Sequence, residues 1–171
     1  MTKLTARHPK HAKQKHPKIL LYGGAGEGKT MGCLGFPSTY MIDCEGGATL
    51  GHYTDILAKS GGVYMGSDDG ANDMDVVVQQ VMALATEKHS YRTLVIDSYT
   101  KLYNTAIQIE YDRLAGKGQD MSKTFGAEKK PAIAGTRKLI RWLDHLDMNV
   151  ILVCHQKAVW KNGEQIGESY D

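Results

Sequence analysis

The 171-residue sequence is poor in cysteine and aromatic side chains and has no long apolar run. Its three cysteines, Cys33, Cys44 and Cys154, are widely spaced and form no C-x-x-C pair, which argues against a disulfide framework or a thiolate zinc site. The longest apolar runs, such as 150–154, fall far short of the roughly 18 residues that a membrane span needs. No apolar stretch follows the first positive charges, as it would in a secretory signal. We therefore expect a cytoplasmic protein with no membrane partner.

The composition is that of an ordinary globular domain, with 42% hydrophobic and 23% charged residues. The net charge of +2 is unevenly distributed, because residues 1–18 contain six Lys and Arg and no Asp or Glu. The remaining 153 residues contain 15 basic and 19 acidic side chains. We predict a flexible basic arm at 1–18 and one core at 19–171, with the arm either simply solvated or in non-specific contact with phosphates.

Short apolar runs alternate with segments of helical periodicity. Strands are predicted at 19–22, 39–42, 63–65, 93–96 and 150–154, and helices at 29–34, 74–85, 100–115 and 132–146. This alternation predicts an α/β fold in which a mostly parallel sheet is flanked by helices. The pair Asn162-Gly163 between two short strand-like runs predicts a C-terminal β-hairpin.

Residues 23–30 match the phosphate-loop pattern G-x-x-x-x-G-K-[ST], directly after a strand and at the start of a helix. In such a loop the backbone N–H groups hold the phosphates, the lysine reaches the β- and γ-phosphates, and the hydroxyl binds Mg²⁺. We predict an ATP and Mg²⁺ site of P-loop NTPase type. Its residues are Gly23, Gly24, Ala25, Gly26, Glu27, Gly28, Lys29 and Thr30.

A phosphate-loop site needs a second metal anchor at the end of a neighbouring buried strand, and Asp97 follows such a strand. Its alternative role is that of a helix N-cap. The next residue is Ser98, so the adjacent carboxylate that many AAA+ ATPases use to activate water is missing. We expect Glu45, after the second strand, to polarise the attacking water, with Asp43 as the competing assignment.

The strand at 150–154 is followed by His155 and Gln156, at the sheet edge where ligands bind in open α/β folds. A polar side chain there can hydrogen-bond the γ-phosphate and respond to its loss. We predict that Gln156 is this sensor. His155 is an alternative or additional sensor, and both side chains could instead satisfy only their own loop.

These motifs together resemble the RecA-type recombinase ATPases, most closely the short phage-encoded RecA-core proteins of single-strand annealing and recombination. The resemblance extends from about Ile19 to Lys157 and depends on the phosphate loop and on residues 42–47, 94–98 and 154–157. It implies a RecA-like fold, in which further strands usually follow the sensor strand. Residues 19–171 are therefore interpreted as a minimal or truncated core.

The resemblance also implies roles for individual residues. Lys29 and Thr30 bind phosphate and Mg²⁺, and Asp97 is the second metal anchor. Glu45 is the water-activating base, and Gln156 couples the γ-phosphate to a DNA-contacting loop. These roles agree with those expected from the residues alone.

Two segments near the expected γ-phosphate edge, residues 116–130 and 157–161, combine positive charge with a ring that can stack on a base. The first segment also contains Lys129 and Lys130. Each segment could instead be a solvated loop with incidental lysines. We predict that they bind single-stranded DNA through Lys117, Lys123, Phe125, Lys157, Trp160 and Lys161. The resemblance further implies a homo-oligomer with ATP between subunits, a location in the host cytoplasm, and a phage single-strand binding protein as a partner. Two other functions remain open: a nucleotide-gated protein-interaction switch without DNA binding, and, less favoured, a small-molecule kinase.

Overall fold

The computed structural model describes residues 5–6, 15–162 and 164–170. Within these residues the strands are β1 (Lys18–Gly23), β2 (Thr39–Asp43), β3 (Val63–Met65), β4 (Thr93–Asp97), β5 (Asn149–Lys161) and β6 (Glu164–Tyr170). The helices are α1 (Lys29–Leu34), α2 (Gly51–Lys59), α3 (Met74–Thr86), α4 (Tyr99–Gly116) and α5 (Lys130–His145). Most of the predicted basic arm, residues 1–4 and 7–14, lies outside the described residues, as does Gly163 of the predicted turn.

Five strands form a parallel sheet in the order β1-β5-β4-β2-β3, and β6 pairs with β5 in the antiparallel direction. The predicted α/β class and the C-terminal hairpin are therefore confirmed. In the register, Gly23 lies opposite His155 and Asp43 lies opposite Asp97. The ends of β1, β2 and β4 consequently meet at one edge of the sheet, where β5 passes between β1 and β4.

The sheet is covered on both faces, which explains why β4 is buried at all five positions. One face packs on α3 and α5 through Val77, Val81, Leu139 and Leu143. The other face packs on α1 and α2 through apolar side chains that include Leu34 and Leu57. Burial of this apolar surface, at about 25 cal/mol per Å², is the main force that fixes the helices against the sheet.

Helix α4 has few buried residues for its length. Of its 18 residues, only Thr100 and Leu102 are buried. It is antiparallel to α5: the Tyr99 hydroxyl is 2.6 Å from the Thr136 hydroxyl, and further along α4 Ile109 lines a cavity together with Pro131 at the start of α5. The segment 117–129 then connects the end of α4 to the start of α5 at Lys130. Within the described parts of the chain, no helix combines the length and apolarity that a membrane crossing requires.

The structure differs from the predicted elements in three places. Helix α2 was not predicted, since it has only nine residues, no side-chain cap and one buried residue, Leu57. Strand β5 does not end at Cys154 but continues to Lys161, because its second half pairs with β6. Strand β1 begins at Lys18, whose ammonium donates hydrogen bonds to the carbonyls of Leu146 and Met148 at 2.9 Å.

Candidate nucleotide site

The phosphate loop connects β1 to α1 and depends on glycine at two positions. Gly26 and Gly28 have φ angles of 80° and 78°, in the left-handed region that L side chains rarely adopt. Nothing lies within 4 Å of a Cβ built at either residue, so the backbone conformation, and not space, requires glycine there. The loop turns sharply and then enters α1 at Lys29.

Two side chains of the loop bond to its own backbone. Lys29 Nζ donates to the carbonyl oxygens of Gly23 at 3.0 Å and Gly24 at 2.7 Å. The Glu27 carboxylate accepts a hydrogen bond from the Gly24 N–H at 2.9 Å. A Cβ at Gly23 would lie 2.1 Å from that carboxylate, so the first glycine of the motif leaves room for Glu27. Both charged groups are thus held at the loop where phosphate binding is predicted.

Thr30 and Asp97 are joined across the sheet edge, since Thr30 Oγ1 donates to Asp97 Oδ2 at 2.5 Å. Burial raises the pKa of Asp97, and the charges of Glu45 and Asp43 raise it further, while the Thr30 hydrogen bond opposes the shift. A buried carboxylate with two acidic neighbours favours a bound cation, and hydroxyl and carboxylate oxygens are the ligands that Mg²⁺ prefers. The two residues fit the predicted metal role.

Asp43 and Glu45, the two candidate bases, have different environments. Asp43 is 1% exposed, and its two oxygens accept hydrogen bonds from four backbone N–H groups in the turn that follows β2. Those donors are the N–H groups of Glu45, Gly46, Gly47 and Ala48. Asp43 therefore shapes the turn that presents Glu45, and only Glu45 lines the cavity beside the phosphate loop.

Glu45 is held by His155 of β5 and by Ser98, which directly follows β4. Its Oε1 accepts a hydrogen bond from Ser98 Oγ at 2.7 Å and lies 2.5 Å from His155 Nε2. Burial alone would raise the pKa of Glu45, but the hydrogen bonds from His155 and Ser98 and the nearby charge of Lys101 lower it below its usual value. Glu45 is consequently ionised at neutral pH. The peptide bond between Asp97 and Ser98 is cis.

These groups surround one cavity of about 190 Å³. It is lined by Ala25, Gly26, Glu27, Gly28, Lys29, Thr30, Glu45, Tyr53, Asp97 and His155. Tyr53 was missed by sequence reasoning, because it lies on the unpredicted helix α2 and carries no motif. Gln156 is not among the lining residues; it pairs with Tyr170 at the start of the β5–β6 hairpin. Of the two predicted sensor candidates, the structure places His155 at the cavity.

None of the candidate DNA-binding residues whose side chains the structure describes lines this cavity. Lys117 follows the last turn of α4, and Lys123 forms an ion pair with Asp120 at 3.1 Å. Phe125 is 97% exposed, on the segment that joins α4 to α5. Lys161 is exposed at the end of β5, whereas the side chains of Lys157 and Trp160 lie outside the described residues. The charge of Lys123 is partly neutralised by its partner.

Comparison with protein-family models gives a match over most of the chain. A model of the AAA_24 family, described as an AAA domain, matches residues 15–171. No curated protein matches the chain. The family match includes every element of the sheet and every residue of the cavity. The chain therefore belongs to the AAA domain family, whose domains bind and hydrolyse nucleotide on a phosphate-loop fold.

Proposed function

We propose that this chain is an Mg²⁺-dependent ATPase of RecA-like type whose nucleotide state controls its binding of single-stranded DNA. The AAA domain match supports nucleotide binding and hydrolysis. The observation that carries the proposed hydrolysis is the position of Glu45, which lines the phosphate-loop cavity just after β2, the strand next to that of Asp97. Glu45 thereby supplies a carboxylate to the cavity, whereas the residue directly after Asp97 is Ser98 and has none.

Glu45 has the properties of a general base. It is ionised at neutral pH, lines the cavity and is fixed in orientation by Ser98 and His155. We propose that it accepts the proton of a water molecule that attacks the γ-phosphate of ATP in line with the departing ADP. The proton leaves water as its oxygen bonds to phosphorus and the bond from phosphorus to the ADP oxygen breaks. ADP and inorganic phosphate are the products.

The phosphate loop and its lysine would stabilise the charge of the transferred group. Lys29 now donates to the Gly23 and Gly24 carbonyls, and its flexible stem allows the ammonium to turn toward bound phosphates. Thr30 and Asp97 would hold Mg²⁺, which supplies charge neutralisation at the phosphate oxygens when it is bound. Donors fixed in place before the reaction lower the barrier without further reorganisation.

The chain path supports a connection between this cavity and DNA. Strand β5 continues from His155, at the cavity, through Gln156 into the hairpin that carries Lys161, with a shift of register against β6 between Val159 and Trp160. Helix α4 begins directly after Ser98 and leads to the segment that carries Lys117 and Phe125. A change of contacts at Glu45 would therefore reach both candidate DNA segments through one strand and one helix.

Assembly is part of the same proposal. RecA-like ATPases bind ATP between subunits, so we propose a homo-oligomer with the cavity at the interface and slow hydrolysis by the isolated subunit. A phage single-strand binding protein is the proposed protein partner, and the host cytoplasm the proposed location. Single-stranded DNA covered by such a partner would be the form of DNA to which this chain binds.

The deciding experiment is steady-state ATP hydrolysis with and without a single-stranded oligonucleotide, with Lys29→Ala as the blank. Stimulation by DNA that weakens as salt rises is the expected result, because phosphate contacts release counterions. Hydrolysis that depends on Lys29 but ignores DNA would leave the ATPase in place and favour the protein-interaction switch. ADP formation that requires a small-molecule acceptor would indicate a kinase.

A further inference from the structure

The outer face of α5 carries an unusual concentration of positive charge. Of the 15 Lys and Arg in residues 19–171, five lie between 129 and 141, a segment with no Asp or Glu. They are Lys129, Lys130, Arg137, Lys138 and Arg141. The rest of this region carries ten basic and 19 acidic side chains, so the segment is basic against an acidic background.

The packing of α5 determines which face these cations occupy. Ala132, Gly135, Leu139 and Leu143 are buried, and a Cβ at Gly135 would lie 2.3 Å from Met74 Cγ of α3. With 3.6 residues per turn, the four cations of the helix fall within about 100° on the side opposite this buried row. All of them are exposed. The rotation of α5 is thus fixed, and its basic stripe faces outward.

No salt bridge within the described residues involves a cation of this stripe. Lys123 and Arg113, by contrast, are paired with acidic residues three positions away. The stripe ends at Asp144, the next carboxylate along the helix. The charges of the stripe are therefore available to an external anion.

We propose that the outer face of α5, from Lys130 to Arg141, binds a nucleic-acid phosphodiester backbone and does so independently of bound nucleotide. The twelve residues from Lys130 to Arg141 span about 16 Å along the helix axis, which matches four to five phosphates of one stacked strand at roughly 3.4 Å each. The stripe continues directly from the segment that holds Lys117 and Phe125. It would extend the proposed DNA contact along the side of the domain, away from the nucleotide edge.

Independence from nucleotide follows from the rigidity of the helix. Leu139 and Leu143 anchor α5 in the same core as β4 and α3, and no α5 side chain lines the nucleotide cavity. A helix packed in this way cannot change its exposed face when the phosphate loop fills. The stripe would retain the DNA while the segments near the cavity respond to ATP.

This inference rests on the proposed DNA function and is tested by removing three charges at once. In the variant Arg137→Gln, Lys138→Gln and Arg141→Gln, glutamine preserves helix propensity and most of the side-chain volume. A matched control replaces three exposed cations elsewhere, Lys59→Gln on α2 and Lys88→Gln and Arg92→Gln in the loop between α3 and β4. Far-ultraviolet circular dichroism and thermal melting establish that both triple variants fold.

Binding of a fluorescein-labelled single-stranded 30-mer is followed by anisotropy over a salt series, without nucleotide, with ADP and with ATP. Each phosphate contact with single-stranded DNA contributes about 0.7 to the slope of log K against log salt, so the loss of three contacts should reduce the magnitude of that slope by about 2. We expect the α5 variant to bind about a hundredfold more weakly at 0.1 M salt. The loss should be the same in all three nucleotide states. The control variant should bind like the wild type.

Unchanged binding by the α5 variant, or an equal loss in the control, would overturn the inference and leave the DNA function standing. A loss confined to the ATP state would contradict the independence from nucleotide. Failure of the wild-type protein to bind the oligonucleotide even at low salt would overturn both proposals. In a parallel arm with phosphatidylserine vesicles, an effect of the variant on vesicles alone would assign the stripe to a membrane surface instead.

Discussion

Glu45 Oε1 and His155 Nε2 lie 2.5 Å apart, although 110 residues separate them in the chain and β4 lies between their strands in the sheet. Ser98, which follows β4, donates to the same oxygen at 2.7 Å. One carboxylate oxygen therefore joins the carboxyl ends of β2 and β4 to β5. This contact lies at the wall of the nucleotide cavity, and five predictions concern the groups around it.

Replacing Glu45 with glutamine tests the proposed base. The amide can still accept the hydrogen bond from Ser98 but cannot take a proton, so ATP binding should persist while turnover falls by about 10²-fold or more. Binding is measured with a fluorescent ATP analogue, and turnover by steady-state phosphate release. The control is Asp55→Asn, an exposed carboxylate on α2, which should hydrolyse at the wild-type rate. Normal turnover by Glu45→Gln would show that another group activates water.

Lys29→Ala tests the phosphate loop. Without the ammonium, the γ-phosphate loses its main positive partner in the loop, and we expect ATP affinity to fall by at least about tenfold and hydrolysis to disappear. The measurement is a titration with a fluorescent ATP analogue in the presence of Mg²⁺. Lys59→Ala removes an exposed lysine from α2 and serves as the matched control. Equal affinity of wild type and Lys29→Ala would exclude the loop as the phosphate site.

Asp43→Asn should destabilise the fold. The Ala48 N–H, which now donates to Asp43 Oδ2 at 2.7 Å, would face an amide NH₂ while the other oxygen keeps its donors. Loss of this buried hydrogen bond should cost about 1–3 kcal/mol in the free energy of unfolding, measured by urea denaturation. The control is Asp73→Asn at the exposed N-cap of α3, where asparagine caps as well as aspartate. A similar small change in both variants would contradict the structural role of Asp43.

Asp97→Asn should raise the melting temperature of the nucleotide-free protein by a few degrees. The raised pKa of Asp97 means that the folded state holds a proton on this group more tightly than the unfolded state. Ionisation of Asp97 at neutral pH therefore destabilises the folded state. This destabilisation decreases as the pH falls through the pKa that Asp97 has in the folded state. The gain from Asp97→Asn should accordingly be largest near neutral pH and shrink in acid.

The same variant should lose stabilisation by ligand. Addition of Mg²⁺ and ATP should raise the melting temperature of the wild type, because a ligand that binds only the folded state stabilises it. Asp97→Asn, with a weakened metal anchor, should show little of this shift. A ligand-induced shift as large as that of the wild type would remove Asp97 from the metal site.

Local pattern was sufficient to predict most of the elements and the phosphate loop. The motif at residues 23–30 joins a strand to a helix, and the buried run before Asp97 has the composition of a central parallel strand. Helix α2 could not be predicted, because nine residues with one buried side chain give no clear periodicity. Tyr53 was missed with it, since its place in the cavity depends on how that helix packs.

The relations between distant residues required the structure. In the sequence, Asp43 and Glu45 are alternative bases two positions apart. The structure distinguishes them, because Asp43 is engaged by four backbone donors and Glu45 lines the cavity. The contact of His155 with Glu45 depends on the strand order, which a linear pattern does not specify. The extension of β5 through Gln156 depends on its pairing with β6, a long-range interaction.

Helix α4 has a consequence for the way in which the domain opens. It starts beside the cavity, yet buries only Thr100 and Leu102, whereas β4 before it is wholly enclosed. Amide hydrogen exchange in the second half of α4 should therefore occur by local unfolding, far faster than exchange in β4, which requires opening of the whole domain. A helix that opens locally is thus attached directly to a fully buried strand.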